Sequence, residues 1–512
     1  MISFPHASTG PPASHEDDRV GLRFGPAVPA GSRGRSLRTL LEAAIIVLIA
    51  AALVRTWGVQ TFTIDGSSMA PTLAASHVVI RCPTCGCEFT AGVDGPASED
   101  RPAICPNCGD GQGRIVRSAA LRGDTVLVDK SAFAWRRPGR WEVVAVRHPG
   151  QERWPCVKRA VGLPGEEITI VAGDVYVDGR IARKSLGEQR ALAIMVHDDR
   201  FRPPAETMPP CWQAGVDSRW AMTDDGFSLA ASVDGGSPRR HGDPEKSGEN
   251  EKREDKEVSD STFDIRPSSF PTDWLTYHHR RRNSAGVVAS SPVDDSYAYN
   301  QMLPIRELHV VRDLVLSFSI AAGGTGVLYV RGSDGVHDFV CAIESDGAAR
   351  LFCDGQPAAD GQIGTPLGRA TRRMEFSLVD AACRLAVDGR EVLEYVFGPT
   401  PANGPTTAQP FAIAGRGMTL TISGLRIDRD AFYGLPASGR ALERTRLGDG
   451  EYFLLSDNAP LGVDSRERAF GPAVDDKSFV GKPFVAVGAS RPWPDWLPAI
   501  QVPALRQIRY IR

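Results

Sequence analysis

The chain reads as a mainly β protein with one apolar helix near its N-terminus and two insertions in a β body. Three observations carry this reading. Short stretches in which apolar and polar residues alternate recur from Thr61 onward. Gly and Pro number 52 and 38 in 512 residues, and they fall between those stretches as turn signals. Helical periodicity is scarce beyond the first apolar run. The length exceeds what a single core serves and asks for two or three domains. A net charge of −3 supplies no basic field, so no nucleic-acid partner is expected.

Residues 1–36 are polar and rich in Pro, Gly and Ser, the composition of a disordered segment. Ala43–Val54 is unbroken apolar sequence. Extended to 37–59 it reaches the length of a transmembrane helix, with Glu42, Arg55 and Thr56 near its ends. Arg33, Arg35 and Arg38 precede the apolar run, which puts residues 1–36 in the cytoplasm and the rest on the extracytoplasmic face of a single-pass inner-membrane protein. The lipid bilayer is therefore an expected partner. A secretory signal cut after Ala50-Ala51-Ala52 and a buried core helix are the competing readings. The long polar lead argues against the former.

Strand patterns follow at Thr61–Ile64, His77–Ile80, Thr125–Val128, Trp141–Val146, Ile168–Val171 and Val175–Val177, with Asp178-Gly179 as a turn. Residues 60–185 form the first part of a β body and 441–512 its second part. Between them, 186–440 is an insert with its own strands from Trp274 to Ile422, spaced as in a β-sandwich. Within the insert, 233–262 is charged, Gly- and Ser-rich, and is expected to be a disordered loop.

Residues 82–115 interrupt the body. Cys82-Pro83-Thr84-Cys85-Gly86 and Cys105-Pro106-Asn107-Cys108-Gly109 are two knuckles at zinc-ribbon spacing. Their four thiolates can reach a tetrahedral ion at about 2.3 Å, so structural zinc on Cys82, Cys85, Cys105 and Cys108 is expected. Cys87 could replace Cys85, and disulfides are the alternative on an extracytoplasmic face. No cofactor is expected for catalysis.

Four short segments carry the chemistry: Ser68-Met69-Ala70-Pro71-Thr72-Leu73, Arg122-Gly123-Asp124-Thr125-Val126, Lys158-Arg159-Ala160-Val161-Gly162-Leu163-Pro164-Gly165, and Ser456-Asp457-Asn458 through Asp464-Ser465-Arg466. A serine hydroxyl is a weak nucleophile unless a base takes its proton. A lysine can do so only when neutral, which burial among apolar strands favours. In this order the segments resemble the boxes of bacterial type I signal peptidases. The resemblance implies that Ser68 attacks the scissile carbonyl and forms an acyl-enzyme, with Lys158 as general base. It also implies an oxyanion donor at the Ser68 N–H, with Gly66 and Ser67 supporting it. Asp457, Asp464, Ser465 and Arg466 would brace the site, and Ile64, Met69 and Val161 would line shallow pockets for small side chains. The substrates would be exported preproteins with Ala-x-Ala-like cleavage sites.

This chain departs from the family pattern at four places, one of them Cys156, which replaces an aromatic residue often found two positions before the lysine. The last box has Ser456 where the pattern has glycine, and Ala459 where it has arginine. Gly462 stands where a serine orients the lysine, leaving water, Ser465 or Ser456 to replace it. The stretch Arg384–Val392 resembles a turn of laminin-G-like or concanavalin-like jelly rolls. That resemblance implies a carbohydrate or protein ligand for the insert. An impaired peptidase frame displaying this sandwich is the alternative function. A jelly-roll glycosidase would need a positioned carboxylate pair, and Asp294-Asp295 and Asp380 carry no signal that separates them from loop acids.

Overall fold

The computed structural model describes residues 32–53, 58–93, 101–115, 120–148, 151–231, 267–282, 286–301, 307–435, 444–492 and 501–511. The chain divides into two compact units, Met1–Trp57 and Gly58–Arg512. The first contains α1, Ser32–Leu53. It starts earlier than the expected 37–59 and stops sooner, and Val59 already opens a strand. Residues 32–36, expected to be disordered, are its first turns, while 1–31 lie outside the described residues. Among the described residues no helix is long and apolar enough to cross a membrane. The arginines and Glu42 that share α1 with the apolar run shorten its purely apolar part. Leu40, Leu41 and Ile45–Ile49 are exposed on it.

The second unit is almost entirely β. An eight-stranded sheet runs in the order Val59–Thr63, Thr125–Asp129, Phe479–Pro492, Glu142–His148, Gln151–Gly162, Glu451–Leu455 and Val474–Asp475, with Gln501–Tyr510 paired to Phe479–Pro492. Strands far apart in sequence alternate in it, so neither end of the chain makes this sheet alone. A four-stranded sheet, Arg180–Ile181, Asp174–Val177, Glu167–Val171 and Thr445–Arg446, takes strands from both parts of the body. Its tight turn puts Asp178 at φ 48° and Gly179 at φ 78°, the left-handed pair a two-residue hairpin needs.

The intervening segment forms two further sheets, of eight and seven strands. The longest strands of the first are Leu314–Gly323, Arg372–Val379 and Thr419–Arg429; those of the second are Val327–Ser333, Asp338–Glu344 and Gln356–Gln362, with Phe411–Arg416 next to Val327–Ser333. Leu316, Phe318 and Phe376 from one and Leu328, Val330 and Ile413 from the other share one buried core, as in a sandwich. The loop expected at 233–262 lies outside the described residues. A short helix absent from the sequence reading, α2 (Leu186–Leu192), opens the insert, with the Ser185 N–H donating to Glu188 at 2.6 Å.

The cysteine segment, residues 82–115, follows the strand His77–Arg81. Val78 and Ile80 of that strand, and Cys82, Cys87, Phe89, Cys105 and Cys108 of the segment, belong to the same apolar core as the sandwich. The insert is tied back to the body by a buried network. The Lys184 Nζ lies 2.7 Å from Asp380 and 2.8 Å from Asp430, all three nearly without solvent.

Candidate active site

The first chemical segment begins where the strand Val59–Thr63 ends. Ser67–Met69 make a single 3₁₀ turn with Gly66 before it, and Ser68 is half-buried. The Arg122-Gly123-Asp124 segment fixes this turn from the side. Ile64 N–H donates to the Asp124 carbonyl (2.8 Å), Asp124 N–H to the Ala74 carbonyl (2.9 Å), and Ala74 N–H to the Asp124 carboxylate (2.9 Å). A side chain at Gly123 would lie 1.8 Å from the Ile64 carbonyl oxygen, which is why glycine stands there. At Gly66 a side chain would meet nothing within 4 Å.

Lys158 sits on the strand Gln151–Gly162, opposite Val144 in register, and the serine turn packs against this strand. Its side chain is 3% exposed, with the Phe470 ring centroid 5.7 Å from Nζ. Desolvation by this apolar setting holds the amine below the usual lysine value, against the opposing pull of the Asp464 carboxylate. The Nζ makes a 2.9 Å hydrogen bond with Ser456 Oγ.

That bond answers the gap at Gly462. A Cβ added at 462 would come within 2.1 Å of Ser456 Cβ and 2.2 Å of its Oγ. The Ser456 side chain thus fills the space next to 462, and serine and glycine have exchanged places relative to the family pattern. Ser465 is not the substitute: its Oγ accepts from the Leu454 N–H at 3.0 Å. Asp464 accepts from the Ser456 N–H at 3.0 Å and pairs with Arg466 at 2.8 Å, with neither side chain exposed. Arg466 also donates to the Ala459 carbonyl at 2.7 Å. This pair holds the loop that carries Ser456.

Three site residues were not singled out as such from sequence. Strand alternation puts Arg159 on the face opposite Lys158 and by itself leaves its burial open. It is 1% exposed and forks onto Asp457 at 2.7 and 2.6 Å, with a third bond to the Trp141 carbonyl at 2.6 Å. Asp457 also accepts from Thr72 Oγ1, so one carboxylate joins the serine and lysine segments. Asn458 donates its N–H to the Ser68 carbonyl (2.9 Å) and its amide to the Ser67 carbonyl (3.0 Å). Asn300, from the insert, exchanges two 2.8 Å amide hydrogen bonds with Asn458. The repeated Asx residues of the last box were a signal for Asn458 and Asp457. Nothing local marks Asn300, because its partner lies 158 positions away.

Ile64 and Met69 lie in one apolar core with Val126, Val143 and Val157; Val161 lies in another with Trp141 and Phe453. The larger cavities are lined by other residues. Gly162 is required for this packing, since a Cβ there would meet Ile168 and Phe453 at 2.7 Å.

The thiols of Cys82, Cys85, Cys105 and Cys108 lie within 4.8 Å of one another, with 3.6 Å between Cys82 and Cys108 and 3.7 Å between Cys85 and Cys105. Sulfurs at about 2.3 Å from a tetrahedral ion stand roughly 3.8 Å apart, whereas a disulfide needs about 2.05 Å. The four residues fit a metal. Cys87 is outside the group, its Sγ directed to the Glu88 carbonyl. Each knuckle closes on a glycine at positive φ, Gly86 at 76° and Gly109 at 69°. Asn107 anchors the second knuckle to the insert, donating to the Phe201 carbonyl and accepting from the Asp198 N–H, both at 2.7 Å. A second group, Asp174, Asp313 and Asp380, also gathers within 4.8 Å. There burial and the field of Asp380 push Asp174 up to about 7.

Compared with known proteins, residues 113–212 match the signature of the family described as signal peptidase, peptidase S26. This span holds the lysine segment and supports a signal-peptidase domain. No curated protein matches the chain. Solved structures similar to parts of it include the carbohydrate-binding module CBM66 from Bacillus subtilis (11% identity, 43% of this chain and 95% of that one, TM-score 0.23). Others are sheep galectin-11 in complex with glycerol (11%, 24% and 98%, TM-score 0.19) and the Caenorhabditis elegans galectin LEC-6 (13%, 27% and 91%, TM-score 0.18). At such scores they carry no argument beyond the sandwich already described.

Proposed function

We propose that the chain is a serine–lysine endopeptidase that removes signal peptides from exported preproteins. The observation that carries this reading is the Lys158 amine, enclosed by apolar groups and directed by Ser456 on the strand against which the serine turn packs. A neutral amine there takes the proton of Ser68 as its oxygen attacks the scissile carbonyl. The Ser68 N–H faces the developing oxyanion, and the lysine then returns the proton to the leaving amine. A water deprotonated by the same lysine releases the acyl group. Cleavage after small side chains at Ala-x-Ala-like sites remains part of this proposal.

We assign structural zinc to the four gathered cysteines. We place the protein at the cytoplasmic membrane with its catalytic unit outside, on the strength of the exposed apolar residues of α1 behind Arg33, Arg35 and Arg38. Retention in the membrane fraction after carbonate extraction is expected, and release by carbonate would refute the anchor. The peptidase reading is tested by incubating a preprotein with wild type, Ser68→Ala and Lys158→Ala. Processing by wild type alone is expected. Equal processing by all three, or none by wild type where a control peptidase works, would favour a binding protein that displays the sandwich.

A further inference from the structure

We propose that the cavity between the cysteine hairpins, the sandwich and the serine turn binds an extended acidic polypeptide segment. The cavity encloses about 440 Å³, and Pro71, three positions after Ser68, forms part of its rim. Two strands present edges to it. Glu88–Gly92 is paired only with His77–Arg81, and Ile194–Asp198 only with Thr419–Arg429, among the described strands. An extended chain can add to such an edge through its backbone, with alternate side chains entering the apolar part of the cavity at Phe89, Ile104 and Val293.

Charge identifies the ligand. Five arginines line the cavity, against the acids Glu88 and Asp294. Arg281 is paired with Asp294, Arg426 with Asp428, and Arg429 donates to the carbonyls of Asp430, Asp295 and Ser296. Arg280 and Arg282 differ from these. Arg282 donates to the Thr207 and Gly286 carbonyls but leaves its Nε buried without a partner, and the Nε of Arg280 is likewise buried and unpaired. Neither guanidinium is paired with a carboxylate among the described residues, and an acidic side chain entering the cavity meets them with charge-assisted bonds. That the segment belongs to the chain being processed rests on the peptidase reading; its binding here does not.

The test uses full-length Ser68→Ala protein and a short fluorescein-labelled peptide alternating glutamate with alanine, beside its glutamine counterpart, read by fluorescence anisotropy. The glutamate peptide is expected to bind at least about ten-fold tighter, with salt weakening it, and Arg280→Gln to remove most of that preference. Arg280→Lys retains part of it. Equal affinity for the two peptides in the parent protein would overturn the proposal, as would an undiminished preference in a folded Arg280→Gln. Should Arg280→Gln fail to fold by circular dichroism, the parent comparison and Arg280→Lys decide. Binding of an oligogalacturonate in place of the glutamate peptide would also overturn it. Glutamate preference without any preprotein cleavage would sink the peptidase reading alone; cleavage without that preference would sink this proposal alone.

Discussion

The Lys158 amine is enclosed by Val144, Phe470 and their neighbours, so its one described side-chain hydrogen bond, to Ser456, governs where it points. Positions 456 and 462 contend for one small volume, and only one of them can carry the hydroxyl. Ser456→Ala is expected to lower kcat about ten-fold with KM little changed, the scale of one lost hydrogen bond to an orienting group. Gly462→Ser alone should destabilise, because its Cβ meets the Ser456 side chain. The double exchange Ser456→Gly with Gly462→Ser should recover both activity and Tm. Failure of the exchange to recover either would show that Ser456 does not act as the orienting hydroxyl. Burial of Lys158 has a signed consequence for pH. Its native pKa lies below the ordinary 10.5, so between the two values the unfolded chain holds a proton the native state lacks. Stability therefore rises with pH across that window. Urea melts from neutral to alkaline pH should show wild type gaining on Lys158→Met, and the acid limb of kcat/KM should fall below the usual lysine range.

At the scale of elements, local signals were legible where local physics decides. The alternation at Thr125–Val128 appears as the strand Thr125–Asp129, and the Asp-Gly pairs at 178–179 and 388–389 are left-handed turns between paired strands. The helix α2 was missed despite the Ser185–Glu188 signal, because seven residues are too few to show a period. The two cysteine knuckles are local as well, but the core they join is not: Val78 and Phe89 pack with the sandwich through contacts that no spacing encodes. Metal loss should therefore reach beyond the hairpins. Chelation, or Cys105→Ser, is expected to release zinc and lower Tm, since binding energy of such sites is folding energy. A reductant without chelator should leave Tm unchanged; a large fall with reductant alone would indicate disulfides.

For the whole molecule, the insert is part of the frame that holds the serine turn. Asn300 buttresses Asn458, which holds the carbonyls of Ser67 and Ser68, while Gln301 donates to the Ile104 carbonyl of the cysteine segment at 2.8 Å. Asn300→Ala is expected to reduce kcat several-fold with KM retained. Combined with Asn458→Ala it should cost little more than either alone, because the two residues act as one support. Fully additive losses in that cycle would deny the coupling. The sequence by itself determined the β character, the turn positions, the four-cysteine grouping and the candidate serine and lysine segments, since each is written within a few consecutive residues. Tertiary structure decided which hydroxyl meets Lys158, that Arg159 is buried on Asp457, and that the insert reaches the serine turn. Those outcomes depend on which distant strands share a sheet and on the volume left between them, and neither quantity exists until the chain has closed.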